Sequence, residues 1–88
     1  MSGSVAPLKI VYKRSFKAEY LRVPQTIRRY FDLQDQELQK GNLVFLKQGW
    51  LRYVRLNDGG YVAFGTYPEP NVFLWLSICS AENLPVIL

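Results

Sequence analysis

The sequence predicts a small, mainly β domain with one short α-helix, folded as a compact sheet or barrel. Three observations carry this expectation. Apolar and polar residues alternate with a period of two in several stretches, which is the signature of strands with one buried face. The segment Asn57-Asp58-Gly59-Gly60 separates two such runs and is a strong hairpin signal. Only the segment that follows Pro24 repeats its apolar residues at helical spacing, with Ile27, Tyr30 and Phe31 at i, i+3 and i+4.

The elements follow in order. Residues 1–7 are small and polar and end at Pro7, so they form a flexible tail, and residues 8–88 form one β-rich domain. Leu8, Ile10 and Tyr12 alternate with Lys9, Val11 and Lys13, which predicts a first strand. Phe16, Ala18 and Tyr20 alternate with Lys17, Glu19 and Leu21, which predicts a second strand after a bend at Lys13-Arg14-Ser15. Pro24 then suits the first turn of a helix. Leu33 and Leu38 extend its apolar stripe, and Arg28 and Arg29 lie off it. Residues 32–39 either prolong this helix or form an acidic loop. Lys40-Gly41 closes it, with glycine where the backbone needs a positive φ. Residues 43–47, 50–56 and 61–66 read as strands, with a turn at Gln48-Gly49. Tyr67-Pro68-Glu69-Pro70-Asn71 is expected to break the sheet, and the apolar run 72–79 to be a buried strand. Residues 81–88 are apolar, but Pro85 argues against a regular central strand.

Composition narrows the class. The single cysteine, Cys79, excludes an internal disulfide, and with no histidine a structural zinc site within one chain is not expected. The N-terminus lacks the charged and apolar regions of a signal peptide, and no apolar run reaches the roughly 18 residues that span a bilayer. The expected setting is cytoplasmic, with no membrane partner and no cofactor. No histidine-based nucleophile pair, phosphate-cradling glycine loop or metal-ligand cluster is present. Asp35 and Glu37 read as a solvated acidic face, and Asp58 as turn chemistry. A non-enzymatic protein is therefore expected.

The net charge of +4 is unevenly spread. Residues 9–29 hold seven cations and one anion, a local charge of +6. A one-sided basic half favours a polyanionic partner, either nucleic acid or an acidic protein surface. The candidate nucleic-acid-binding residues are Lys13, Arg14, Lys17, Arg22, Arg28 and Arg29. Arg52, Tyr53 and Arg55 interleave an aromatic ring with cations, as in proteins that stack single-stranded bases. Trp50, Tyr53, Phe64, Phe73 and Trp75 are expected in the core or at an interface.

The basic stretch, Val23-Pro24, the helix Ile27-Arg28-Arg29-Tyr30-Phe31-Asp32-Leu33 and the turn Lys40-Gly41-Asn42 resemble the AbrB/SpoVT-type swapped-hairpin DNA-binding domain over residues 9–56. The resemblance implies an intertwined homodimer, a use for the surplus of apolar residues. It implies a transcription regulator, or an antitoxin, that holds duplex DNA through basic strands and helix arginines, with Arg22, Arg28 and Arg29 nearest the family's basic positions. The longer link at 34–39, the asparagine at position 42 and the stretch 57–88 depart from that pattern. The alternative is a protein-interaction module, such as a viral or host-directed inhibitor or adaptor, that docks on an acidic partner. In that reading the chain faintly resembles a ubiquitin-like β-grasp of the Phox-and-Bem-one kind. A further alternative is a single-stranded nucleic-acid-binding β barrel.

Overall fold

Val23 stands immediately before Pro24, and this pair sets the layout of the helical layer. The proline ring pushes the preceding residue out of the helical region, and Val23 is extended at φ −77° and ψ 156°. Two helices therefore form instead of one. In the computed structural model, which describes residues 8–57 and 60–84, α1 spans Phe16–Arg22 and α2 spans Gln25–Gln39. The expected tail at 1–7, the Asp58-Gly59 part of the hairpin turn and Pro85 lie outside the described residues. At its start α2 bonds back to the proline carbonyl, with Ile27 and Arg28 N–H donating at 2.9 and 3.1 Å. At its end Gly41 takes φ 78°. Gly41 N–H then donates to the Leu38 carbonyl at 3.0 Å and Asn42 N–H to that of Glu37 at 2.9 Å. That pair of bonds closes a helix with a left-handed glycine.

The strand expected over 16–21 is thus a helix, and the single short helix becomes two, the second 15 residues long. Phe16 and Tyr20 are in phase with both a two-residue and a helical repeat. The helical repeat prevails because Phe16, Tyr20 and Val23 then share one face, and the intervening Lys, Ala, Glu and Leu favour helix. Residues 32–39 prolong α2 instead of forming a loop.

Five strands form one mixed sheet: β1 (Lys9–Tyr12), β2 (Leu46–Gln48), β3 (Leu51–Leu56), β4 (Tyr61–Glu69) and β5 (Val72–Ser80). Their spatial order is β1-β5-β4-β3-β2, parallel between β1 and β5 and antiparallel elsewhere. The two ends of the order do not meet, so the sheet is open and the expected barrel is not formed. The intertwined dimer is not supported either, because one chain supplies all these strand pairings. Of the strand expected at 43–47 only the end is paired, as β2. The proline-rich stretch does not stop β4 at residue 66. The β4–β5 register shifts between Thr66 and Glu69, and this irregularity absorbs Tyr67 and Pro68.

Both helices cover one face of the sheet. Phe16, Val23, Ile27, Phe31 and Leu38 pack there against Val54, Leu56, Ala63, Phe73, Trp75 and Ile78. Trp75 is fully buried, with the rings of Phe31 and Phe73 at 4.9 and 4.8 Å. A hydrogen bond from Ser77 Oγ to Glu19 Oε2 at 2.9 Å also ties α1 to β5. The alternate residues of the same strands face the other way, where Leu51, Val62 and Phe64 form a smaller cluster joined by Leu76, Cys79 and Leu84. Of the aromatics expected in the core, Phe64, Phe73 and Trp75 are buried and Tyr53 is half-buried, whereas Trp50 is 55% exposed.

Gly65 marks the point where β4 and the Phe73 ring approach most closely. A Cβ at this position would stand 2.7 Å from the Phe73 ring and collide with the Leu74 carbonyl. Gly65→Ala is expected to cost about 1–3 kcal/mol by overpacking, read as a lower urea midpoint. Gly41→Ala meets open space and is expected to cost about 1 kcal/mol through its positive φ alone.

Candidate functional site

The predicted basic residues lie at several places on the helical layer. Lys13 and Arg14 lie in the turn before α1, Lys17 in its first turn, and Arg22 at its far end. A seven-residue helix, about 10 Å long, separates the two groups. Arg28 is used structurally: its Nη1 donates to the carbonyls of Leu21 at 3.1 Å and Val23 at 3.0 Å, capping the end of α1. Arg29 is exposed on α2.

The face away from the helices has a different character. Strand alternation puts Tyr53 and Arg55 there, beside Leu51 on β3 and opposite Phe64 and Val62 on β4. Arg55 is exposed and has no hydrogen bond or ion pair among the described residues. Arg52 points to the other side, and its Nη1 is occupied by the carbonyls of Gly49 at 3.1 Å and Leu51 at 3.3 Å. Cys79 pairs with Val62 on the Arg55 side. Burial pushes its thiol pKa up, the Ser77 hydrogen bond opposes this, and the charge of Glu19 adds to it, which leaves the thiol a poor nucleophile. This face therefore offers an exposed guanidinium next to a tyrosine ring on a rigid strand.

A second polar constellation lies under the helices. Asp35 is 9% exposed, although an acidic loop residue was expected to be solvated. Its carboxylate accepts from the Tyr12 hydroxyl of β1 and from Trp75 Nε1 of β5, the latter at 3.0 Å. One turn earlier Asp32 accepts from the Tyr20 hydroxyl at 2.9 and 3.1 Å. The signal for Asp35 was present in the chain: it falls in line with Ile27, Phe31 and Leu38, the apolar stripe of α2. An acid on that stripe must be buried and hydrogen-bonded once the helix runs past residue 34. Among the described residues no group of histidine, cysteine and acids could hold a metal ion, and no helix is long and apolar enough to cross a membrane.

No protein-family model matches this chain, and no curated protein matches it. Solved structures do. The isolated E. coli RelE toxin superposes at TM-score 0.69 with 15% identity, covering 88% of this chain and 87% of that one. The intact E. coli RelBE toxin–antitoxin complex gives 0.71 and 15%, over 86% of this chain and 99% of that one. This is the RelE fold. The archaeal RelE–RelB complex of Pyrococcus horikoshii OT3 is more distant, at 0.55 and 13%, over 90% of this chain and all of that one.

These likenesses overturn the AbrB/SpoVT resemblance. That motif needs a strand before Pro24, where this chain has α1, and a short link after its helix, where α2 continues to Gln39. The reading as a duplex-DNA regulator rested on the motif and falls with it. The expectation of a non-enzymatic protein gives way too. It rested on missing histidine, glycine-loop and metal motifs, and a fold shared with toxins is not one that those motifs mark.

The tyrosines of the buried network set an alkaline limit. Burial first, then the Asp35 hydrogen bond and charge, raise the Tyr12 pKa far above the ordinary phenol value. Burial and Asp32 raise that of Tyr20. The folded protein thus keeps both phenols protonated where the unfolded chain ionises them, from about pH 10 upward. Their contribution to stability is complete below that pH and declines as pH rises toward the folded-state values. Urea midpoints are expected to hold to about pH 9.5 and then fall, with a shallower fall in Tyr12→Phe.

Proposed function

We propose that this chain is a RelE-type toxin: an endoribonuclease that halts translation by cutting mRNA at the ribosome, held in check by a protein antitoxin. The observation that carries the reading is the two-way match of fold, over 86% of this chain and 99% of the matched chain of the RelBE complex. A protein partner also accords with that neighbour, and with a basic chain of net charge +4 that an acidic partner would neutralise.

The face opposite the helices suits the chemistry. RNA can be cut without metal or cofactor when a 2′-oxygen attacks the adjacent phosphorus, the bond to the 5′-oxygen breaks, and a proton passes from the first oxygen to the second. The charge that builds on the phosphoryl oxygens needs a fixed cation, and Arg55 is exposed there and has no partner among the described residues. Tyr53 lies two residues away on the same strand and face, where its ring can stack a base. In this reading the exposed Lys13, Arg14, Lys17, Arg22 and Arg29 steer the chain toward ribosomal RNA, and Arg28 serves the fold.

Induced expression in a bacterial host is expected to arrest growth and to leave mRNAs cut within their coding regions, mapped by primer extension. Arg55→Ala should lower the cleavage rate on programmed ribosomes by about 100-fold, with circular dichroism and thermal midpoint unchanged. Normal growth with intact mRNA on verified expression of folded protein would contradict the reading.

A further inference from the structure

We propose that the cavity between β1, α1 and α2 is a binding site for a small organic cation, of the quaternary or alkyl ammonium class. The site is separate from the sheet face assigned above. The cavity holds about 330 Å³, within the usual range for small-molecule sites. Four rings wall it: Tyr12, Phe16, Tyr20 and Phe31. Their centroids stand 5.7 Å (Tyr12–Phe16), 5.1 Å (Phe16–Phe31) and 5.9 Å (Tyr20–Phe31) apart, a continuous aromatic lining. Ring faces carry negative potential and attract a cation that sheds its water easily, as alkylammonium ions do.

The carboxylates supply the second reason. Asp32 and Asp35 both line the cavity, one helical turn apart. Asp35 is buried, yet its hydrogen-bond donors, the Tyr12 hydroxyl and the Trp75 indole, are neutral. Asp32 likewise accepts from the neutral Tyr20 hydroxyl. Neither acid has an ion-pair partner among the described residues, where Lys40 pairs with Glu37 at the end of α2. Lys17 also lines the cavity, but it is exposed and makes no ion pair among the described residues. A buried carboxylate without a countercharge is costly, and a cation seated among the rings would offset that cost. A hard divalent metal fits poorly, because it requires a shell of about six oxygens, whereas the lining is mostly aromatic carbon and the carboxylate oxygens already accept hydrogen bonds from Tyr12, Tyr20 and Trp75.

The test compares choline with its uncharged isostere 3,3-dimethylbutan-1-ol, each titrated into the wild-type protein by calorimetry and NMR. Choline is expected to bind saturably, at least about tenfold more tightly than the isostere, with shifts centred on Tyr12, Tyr20 and Phe31. Asp32→Asn, a change at an exposed position, should weaken choline about tenfold and leave the isostere unaffected. Equal affinities would show a merely apolar hollow and overturn the proposal. So would shifts that centre elsewhere, or no saturable choline binding to folded protein.

Discussion

A single buried carboxylate holds the two layers of this protein in register. Asp35 sits on the core side of α2 and accepts from the edge strand through Tyr12 and from the neighbouring strand through Trp75. Burying a carboxylate is unfavourable unless its oxygens are satisfied. The favourable arrangement therefore requires α2 to lie at one height and one rotation above β1 and β5. Apolar contacts alone are tolerant of sliding, because many packings bury similar area. The directional bonds to Asp35 remove that tolerance, and the ring cluster of Phe16, Phe31, Phe73 and Trp75 closes around them.

This placement sets the character of the opposite face of the sheet. With both helices on one face, alternation along β3 leaves Tyr53 and Arg55 on the other. Tyr53 is paired with both β2 and β4, and Arg55 with β4, so both side chains stand on a hydrogen-bonded strand. Cations at the helix ends are either exposed, as Arg29 is, or consumed in capping, as Arg28 is. The sequence contains all of them as equivalent positive charges. The fold separates them by whether their donors are already occupied.

Local signals proved legible and long-range ones did not. Pro24 and Gly41 bound α2 as their backbone preferences require. The Asn57 turn joins β3 to β4, and the apolar run from Val72 forms an interior strand of the sheet. Phe16 and Tyr20 misled because four residues fit both repeats. Pro68 misled because a register shift, which depends on the partner strand, lets β4 pass it. The parallel pairing of β1 with β5 joins the two ends of the chain and has no local signature. The AbrB-like order of cations, proline and helix was a match of local sequence, whereas the fold is defined by that long-range pairing. At the site, the Tyr53 and Arg55 alternation was visible. Asp35 was hidden by the assumption that an acid-rich stretch is a loop.

The central structural claim is that Asp35 clamps helix to sheet, and the indole N–H of Trp75 reports on it directly. Hydrogen exchange at Trp75 Nε1, followed by NMR, is the measurement that tests it. The account predicts exchange only through global unfolding, with an opening free energy equal to that from urea denaturation. Exchange at the rate of an unprotected indole, in protein whose core amides remain protected, would contradict it.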